Sequence, residues 1–285
     1  MLPARKITLI ALTLILSNFA PTAAAETVTF QIPAPRSPTG HVRFDARIPK
    51  NSDHAPRPIL ILVPGYNGAG KPLLAGFWAD FADRTGTILL APTFRTNLEE
   101  IQSRTGYYYP SLWSGDVLLR AVEELATRTP ADAESLFFYG HSAGAHFTHR
   151  FALWHPDRVA AFVAYSAAWW DPPAASIRDT PALIMCGEDD PRYEATLEFY
   201  LASRPFDAPW VWRGFRHTGH ESTPAVLRLA ATFLEHYLRH TPDTPLAGDI
   251  QTYGTIDWSD RESIPAEALT RLPTPAIAEI WKQEK

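Results

Sequence analysis

The chain has one cysteine, Cys186, among 285 residues. No intramolecular disulfide is possible, so stability has to come from a packed apolar core. Excess charge is also missing. The 26 Lys and Arg against 31 Asp and Glu leave a formal net charge of −5, which provides no electrostatic footprint for nucleic acid and no polybasic membrane anchor. There is no internal repeat and no low-complexity tract. Metal-ligand spacing is lacking too: the Glu188-Asp189-Asp190 run has no matching histidine or carboxylate set. His146 and His149, three residues apart, read as packing or surface residues. No metal and no cofactor is expected.

What remains is an ordinary globular composition, 46% hydrophobic and 20% charged, on a length that suits one large α/β domain or two small ones. The first 25 residues read as a signal peptide. Arg5 and Lys6 precede the apolar stretch Ile7 to Leu16, which is too short to span a bilayer comfortably, and Ala23-Ala24-Ala25 offers a cleavage site. The mature chain is expected to begin near Glu26, in the periplasm or outside the cell. No cysteine lies there to carry a lipid, and no stable membrane insertion is expected. Loss of Arg5 and Lys6 moves the formal charge from −5 to −7.

From residue 26 to 240, apolar runs alternate with helical patterns. Residues 27–32 and 41–48 alternate apolar and polar, as two half-exposed antiparallel edge strands would. Ile59 to Val63, Thr87 to Ala91, Leu136 to Tyr139, Val159 to Tyr165, Ala182 to Cys186 and Trp210 to Phe215 read as buried strands. Helices are expected at Leu73 to Arg84, Val117 to Thr127, Ala145 to Trp154, Tyr193 to Ala202 and Ala225 to Leu238. This alternation predicts a mostly parallel, doubly wound sheet flanked by helices. Pro92 to Trp113 reads as a loop rich in aromatic residues. Residues 241–285 form a proline-rich extension expected to pack on the domain, with one helical candidate at Ala276 to Lys282.

One short stretch carries chemistry. Gly140-His141-Ser142-Ala143-Gly144 lies between an apolar strand and a helix, the context of a nucleophile elbow. The tight turn exposes the Ser142 hydroxyl at a strand end. It also aims the Ala143 N–H, at a helix N-terminus, toward a developing oxyanion. A serine nucleophile needs a base, and the base needs an orienting acid. Both are available at later strand ends: a carboxylate in Gly187-Glu188-Asp189-Asp190-Pro191 and an imidazole in His217-Thr218-Gly219-His220. The chain order is Ser142, Asp190, His220.

These three motifs, each at a strand end and in this order, resemble the α/β-hydrolase superfamily over residues 26–240. The resemblance implies a Ser142–His220–Asp190 triad. His220 is favoured over His217 because it follows Gly219 and precedes Glu221-Ser222; Asp190 is followed as candidate acid by Asp189 and then Asp171. It also implies that Tyr66, in Pro64-Gly65-Tyr66-Asn67, supplies the second oxyanion N–H and walls the acyl site. Pro64-Gly65 departs from the frequent His-Gly start, which tells against close kinship with hormone-sensitive-lipase-like esterases. The interval Ala168 to Pro181 is too short for a cap domain, so the site should be open to bulky or polymeric acyl substrates. Trp169 and Trp170 stand at that rim as candidate substrate-binding residues, and the Tyr107 to Trp113 loop is expected nearby. These features are similar to those of uncapped secreted serine esterases of the dienelactone-hydrolase, cutinase and polyester-hydrolase kind, and of feruloyl and polyhydroxyalkanoate esterases. The paired cysteines of several secreted relatives are absent. The activity expected is hydrolysis of carboxylic esters. A serine peptidase or acyltransferase, or a non-catalytic binding module, are the alternatives on the same fold.

Overall fold

A computed structural model describes residues 25–50 and 56–283. All but the last residue of the expected signal peptide lies outside the described residues. The main sheet has eight strands: β1 (Glu26–Pro33), β2 (His41–Ile48), β3 (Arg57–Val63), β4 (Ile88–Thr93), β5 (Ala131–His141), β6 (Val159–Tyr165), β7 (Ala182–Gly187) and β8 (Trp210–Phe215). Their spatial order is β1-β2-β4-β3-β5-β6-β7-β8. β1 and β2 pair antiparallel, and β2 runs antiparallel to β4; every pair from β4 to β8 is parallel. The expected doubly wound sheet is what forms. Ile59 to Leu62 and Phe162 to Tyr165 are buried throughout, because helices cover both faces of a parallel sheet and leave no solvated side. β1 alternates in exposure, as an edge strand with one free face does.

The helices are α1 (Phe77–Thr85), α2 (Leu98–Gln102), α3 (Ser114–Arg128), α4 (Ala143–Trp154), α5 (Tyr193–Ala202), α6 (Pro224–Leu238) and α7 (Pro275–Trp281). Two expectations need correction. The helix read over Leu73 to Arg84 is broken: a 3₁₀ turn at Lys71–Leu74 stops before Gly76, and α1 starts after it. Gly76 adopts φ 56°, ψ −129°, a conformation that side chains resist. The Pro92 to Trp113 loop contains α2, opened by a capping box in which Asn97 and Glu100 satisfy each other's backbone N–H. Most of the aromatic residues of that loop point inward. Tyr107, Tyr108 and Trp113 are buried, and Tyr107 stacks on Phe94 at 5.0 Å.

The extension forms a second, three-stranded sheet, β10-β9-β11, from β9 (Leu246–Asp249), β10 (Thr255–Asp257) and β11 (Leu269–Leu272). Its strands are too short and polar to be legible beforehand. With α7 it lies along β8. Thr270 Oγ1 accepts the Trp212 N–H at 3.1 Å, and Trp281 Nε1 donates to the Trp212 carbonyl at 2.6 Å. Backbone groups that a terminal strand would leave unpaired are thereby taken up. Arg213 is buried there, with Tyr253 at 3.7 Å from its guanidinium carbon. Among the described residues no helix is long and apolar enough to cross a membrane.

Candidate active site

Ser142 sits between the end of β5 and the start of α4 with φ 58° and ψ −117°. A non-glycine residue held there is strained, and the surrounding backbone has to over-determine it. Its N–H donates to the Tyr165 carbonyl at 2.9 Å. Close approach explains both flanking glycines. A Cβ on Gly140 would lie 2.3 Å from the Gly144 carbonyl oxygen, and one on Gly144 would lie 2.0 Å from the Val63 carbonyl oxygen. Neither position can hold a larger residue unless the turn opens.

The loops after β7 and β8 are bonded to each other. Glu188 N–H donates to the Phe215 carbonyl at 2.9 Å and Asp189 N–H to the Thr218 carbonyl at 3.0 Å. A Cβ on Gly187 would meet the Thr218 carbonyl oxygen at 2.2 Å, so glycine is required for the loops to touch. Their contact carries His220 to Asp190. His220 Nδ1 lies 2.6 Å from Asp190 Oδ2, and His220 Nε2 lies 2.8 Å from Ser142 Oγ. The Asp190 side chain is fully buried, whereas that of His220 is 31% exposed. Asp190 Oδ1 is also used, accepting from the Arg192 N–H at 3.0 Å and from its guanidinium at 2.9 Å. Burial pushes the Asp190 carboxyl upward, but hydrogen bonds from His220 and Arg192 outweigh it and hold the group below its ordinary value.

The other candidates are placed elsewhere. Asp189 is exposed, and His217 is exposed with φ 52°. Asp171 pairs with Arg150 Nε at 2.9 Å. Tyr66 stands in the loop after β3, 51% exposed, next to Gly65, where a Cβ would be 3.8 Å from Ser142 Cβ. Asn67 secures that loop by donating to the Thr96 carbonyl and accepting the Thr96 N–H, both at 2.9 Å. Among the described residues, neither the Tyr66 N–H nor the Ala143 N–H donates a hydrogen bond. Ala143 is the first residue of α4, where an N–H has no intrahelical partner. Trp169 is 55% exposed at the rim; Trp170 packs on Phe199 at 4.2 Å between ring centroids.

Three contributors escaped sequence reading. Arg192 could have been suspected two residues beyond the acid. Arg150 and His141 carried no signal. His141 stacks on Tyr165 at 4.9 Å and approaches the His220 ring at 4.8 Å. Burial, and then the neighbouring His220, push it down to about 4, so it stays neutral beside the imidazole that faces Ser142. Cys186, at the end of β7, is buried with its thiol 3.3 Å from Ser166 Oγ. Among the described residues no group of three or more His, Cys, Asp or Glu could hold a metal ion. Chemically, the site offers a hydroxyl aligned on an imidazole whose far nitrogen faces a buried carboxylate. This set can deprotonate the hydroxyl.

No protein-family model and no curated protein matches the sequence. Solved structures do. A poly(3-hydroxybutyrate) depolymerase from Bordetella parapertussis is similar at 20% identity over 74% of this chain and 89% of that one, with a TM-score of 0.59. A ferulic acid esterase is similar at 19% identity over 76% of this chain and 96% of that one, TM-score 0.57. An S-formylglutathione hydrolase from Agrobacterium tumefaciens is similar at 17% identity over 79% and 97%, TM-score 0.56. The chain has the α/β-hydrolase fold that these proteins share, with no cap evident.

Proposed function

We propose that this α/β-hydrolase-fold protein is a serine hydrolase of carboxylic esters, acting through Ser142, His220 and Asp190. The observation that carries the reading is the continuous row from Ser142 Oγ through His220 to the buried Asp190, at 2.8 and 2.6 Å, beneath a strained serine backbone. His220 Nε2 takes the hydroxyl proton as Ser142 Oγ attacks the ester carbonyl. Asp190, held ionised by the hydrogen bonds from His220 and Arg192, keeps the His220 Nδ1–H oriented and balances the imidazolium. The Tyr66 and Ala143 N–H groups receive the tetrahedral oxyanion; removing one such donor typically costs about 3–4 kcal/mol of transition-state stabilisation. His220 then protonates the leaving alcohol, and water, activated by the same base, releases the acyl group.

The proposed substrates are bulky, aromatic or polymeric esters. Support comes from the short β6–β7 interval, which leaves the site uncovered, and from the exposed rings of Tyr66 and Trp169 at its edge. The named activities of the structural neighbours, on a polyester and a ferulic acid ester, agree with that class. Export, with cleavage before Glu26, completes the reading. The test is turnover of 4-nitrophenyl butyrate and labelling by a fluorophosphonate, both abolished in Ser142→Ala. Unchanged turnover in that variant refutes the reading. Faster cleavage of amides, or transfer to alcohols in preference to water, moves it to a peptidase or an acyltransferase. Amino-terminal sequencing of the protein recovered outside the cytoplasm tests export.

A further inference from the structure

The loop between β6 and β7 is tied to α4 by two imidazoles. His146 Nδ1 lies 2.9 Å from the Trp169 carbonyl oxygen, and His146 Nε2 lies 3.2 Å from the Ala168 nitrogen. His149 repeats the pattern: Nδ1 lies 2.8 Å from the Ala145 carbonyl oxygen and Nε2 lies 3.2 Å from the Asp171 nitrogen. A carbonyl only accepts and a backbone N–H only donates, so each ring is fixed as the neutral Nδ1–H tautomer. Burial favours that state, and Arg150 disfavours another cation beside it: His146 is pushed down to about 3 and His149 well below its ordinary value. Arg150 reinforces the tie. Its Nη2 approaches the Trp169 carbonyl at 3.4 Å and its Nε pairs with Asp171.

The two tryptophans diverge from this loop. Trp170 turns onto Phe199 and lies 4.7 Å from His149, whereas Trp169 turns outward with its ring 5.2 Å from His146. Both line a cleft of about 650 Å³ between this loop and α5, with Tyr109 and Phe199 among its other walls. That volume falls within the range of small-molecule sites. The Trp169 wall of this cleft is linked to Ser142 through His146. The His146 N–H donates to the Ser142 carbonyl at 3.2 Å, and the same residue's ring holds Trp169. Bordering charges occur in both signs: Arg150, which pairs with Asp171, and, with no ion pair between them, Arg104 and Glu198. Aromatic walls with balanced charge suit a neutral ring better than an ion.

We propose that this cleft is a second subsite, taking an uncharged aromatic ring carried by the substrate, and that His146 and His149 are positioning residues that set its Trp169 wall relative to Ser142. The proposal rests on the ester-hydrolase reading, so its test measures binding rather than turnover. Ethyl 3-phenylpropanoate and 2-phenylethyl acetate, with the ring on the acyl or the alcohol side, are titrated against ethyl acetate on Ser142→Ala protein by ligand-observed NMR. At least one ring-bearing ester is expected to bind about tenfold more tightly than ethyl acetate, and Trp169→Ala is expected to remove the preference. His146→Asn and His149→Gln are each expected to reduce it about threefold, and His146→Asn to add nothing once Trp169 is alanine. The double variant distinguishes positioning through Trp169 from general loosening, and His149→Gln serves if His146→Asn does not fold. Equal binding of all three esters, or additive effects of His146→Asn and Trp169→Ala, overturns the proposal. Wild-type protein that binds the ring-bearing ester yet neither hydrolyses esters nor reacts with a fluorophosphonate refutes only the parent reading.

Discussion

His220 faces Ser142, and the His146–His149 pair lies on α4, which starts just after that serine, yet the same side chain is used in opposite ways. The His220 ring lies between a hydroxyl and a carboxylate and is 31% exposed. A hydroxyl can donate or accept, and a carboxylate faces the other ring nitrogen, so these partners do not fix a single arrangement of protons. The rings of His146 and His149 lie between backbone carbonyls and N–H groups and are buried. Only one proton arrangement satisfies those partners. A histidine's role in this protein is therefore decided by whether its partners can absorb a change of charge.

The largest effect that breaks the comparison is on the reactive side. Ser142→Ala is expected to lower kcat for 4-nitrophenyl butyrate about 10⁵-fold or more, leaving only binding and oxyanion stabilisation. Asp190→Asn should lower it about 10⁴-fold, because an amide in place of the carboxylate no longer compensates an imidazolium or fixes its tautomer. Both variants are expected to melt close to the parent. On the structural side the pattern reverses. His149→Ala leaves the Asp171 N–H and the Ala145 carbonyl without their side-chain partner and opens a cavity, with an expected loss of about 2–4 kcal/mol in urea unfolding. Fluorophosphonate labelling of the folded fraction should persist.

Acid titration sharpens the same contrast. The folded-state values of His141 and His146 are depressed, to about 4 and about 3, so the unfolded chain binds their protons first. Their contribution to stability is present in full above about pH 6.5 and declines as pH falls, until about pH 4 for His141 and about pH 3 for His146. Each histidine contributes a slope of at most about 1.4 kcal/mol per pH unit, readable as a falling urea midpoint below pH 6.5. A flat midpoint from pH 7 to 5 would show that these rings are not held neutral. The smallest effect is that of Arg192→Ala. The arginine is 34% exposed, so its pairing is screened and activity at pH 7 should fall less than about threefold. The acid limb of kcat/KM should move upward, because Asp190 loses one of the groups that hold it ionised.

Much of this arrangement was legible in the sequence because strand ends are marked by it. The run Val159 to Tyr165 coincides with β6, and three loop motifs lie where β5, β7 and β8 end. Asp190 could be ranked above Asp189 and Asp171, and only the geometry separates them: Asp189 is exposed and Asp171 is taken by Arg150. What escaped reading depends on contacts between residues distant in the chain. The tie between His149 and Asp171 spans β6, and nothing local distinguishes a histidine that accepts a backbone N–H from one in solvent. The break at Gly76 was missed because the apolar pattern continues across it, while the backbone conformation does not. The strands β9 to β11 have three or four residues each, too few to display a period.

Cys186 gives the molecule an internal clock. The only thiol of the chain lies fully buried at the end of β7, four residues before Asp190, and burial pushes it up to about 11. A thiol reagent reaches it only after that strand end has parted from its neighbours. The rate of modification in native buffer thus times the opening of the scaffold under the acid loop, without a label or an engineered residue.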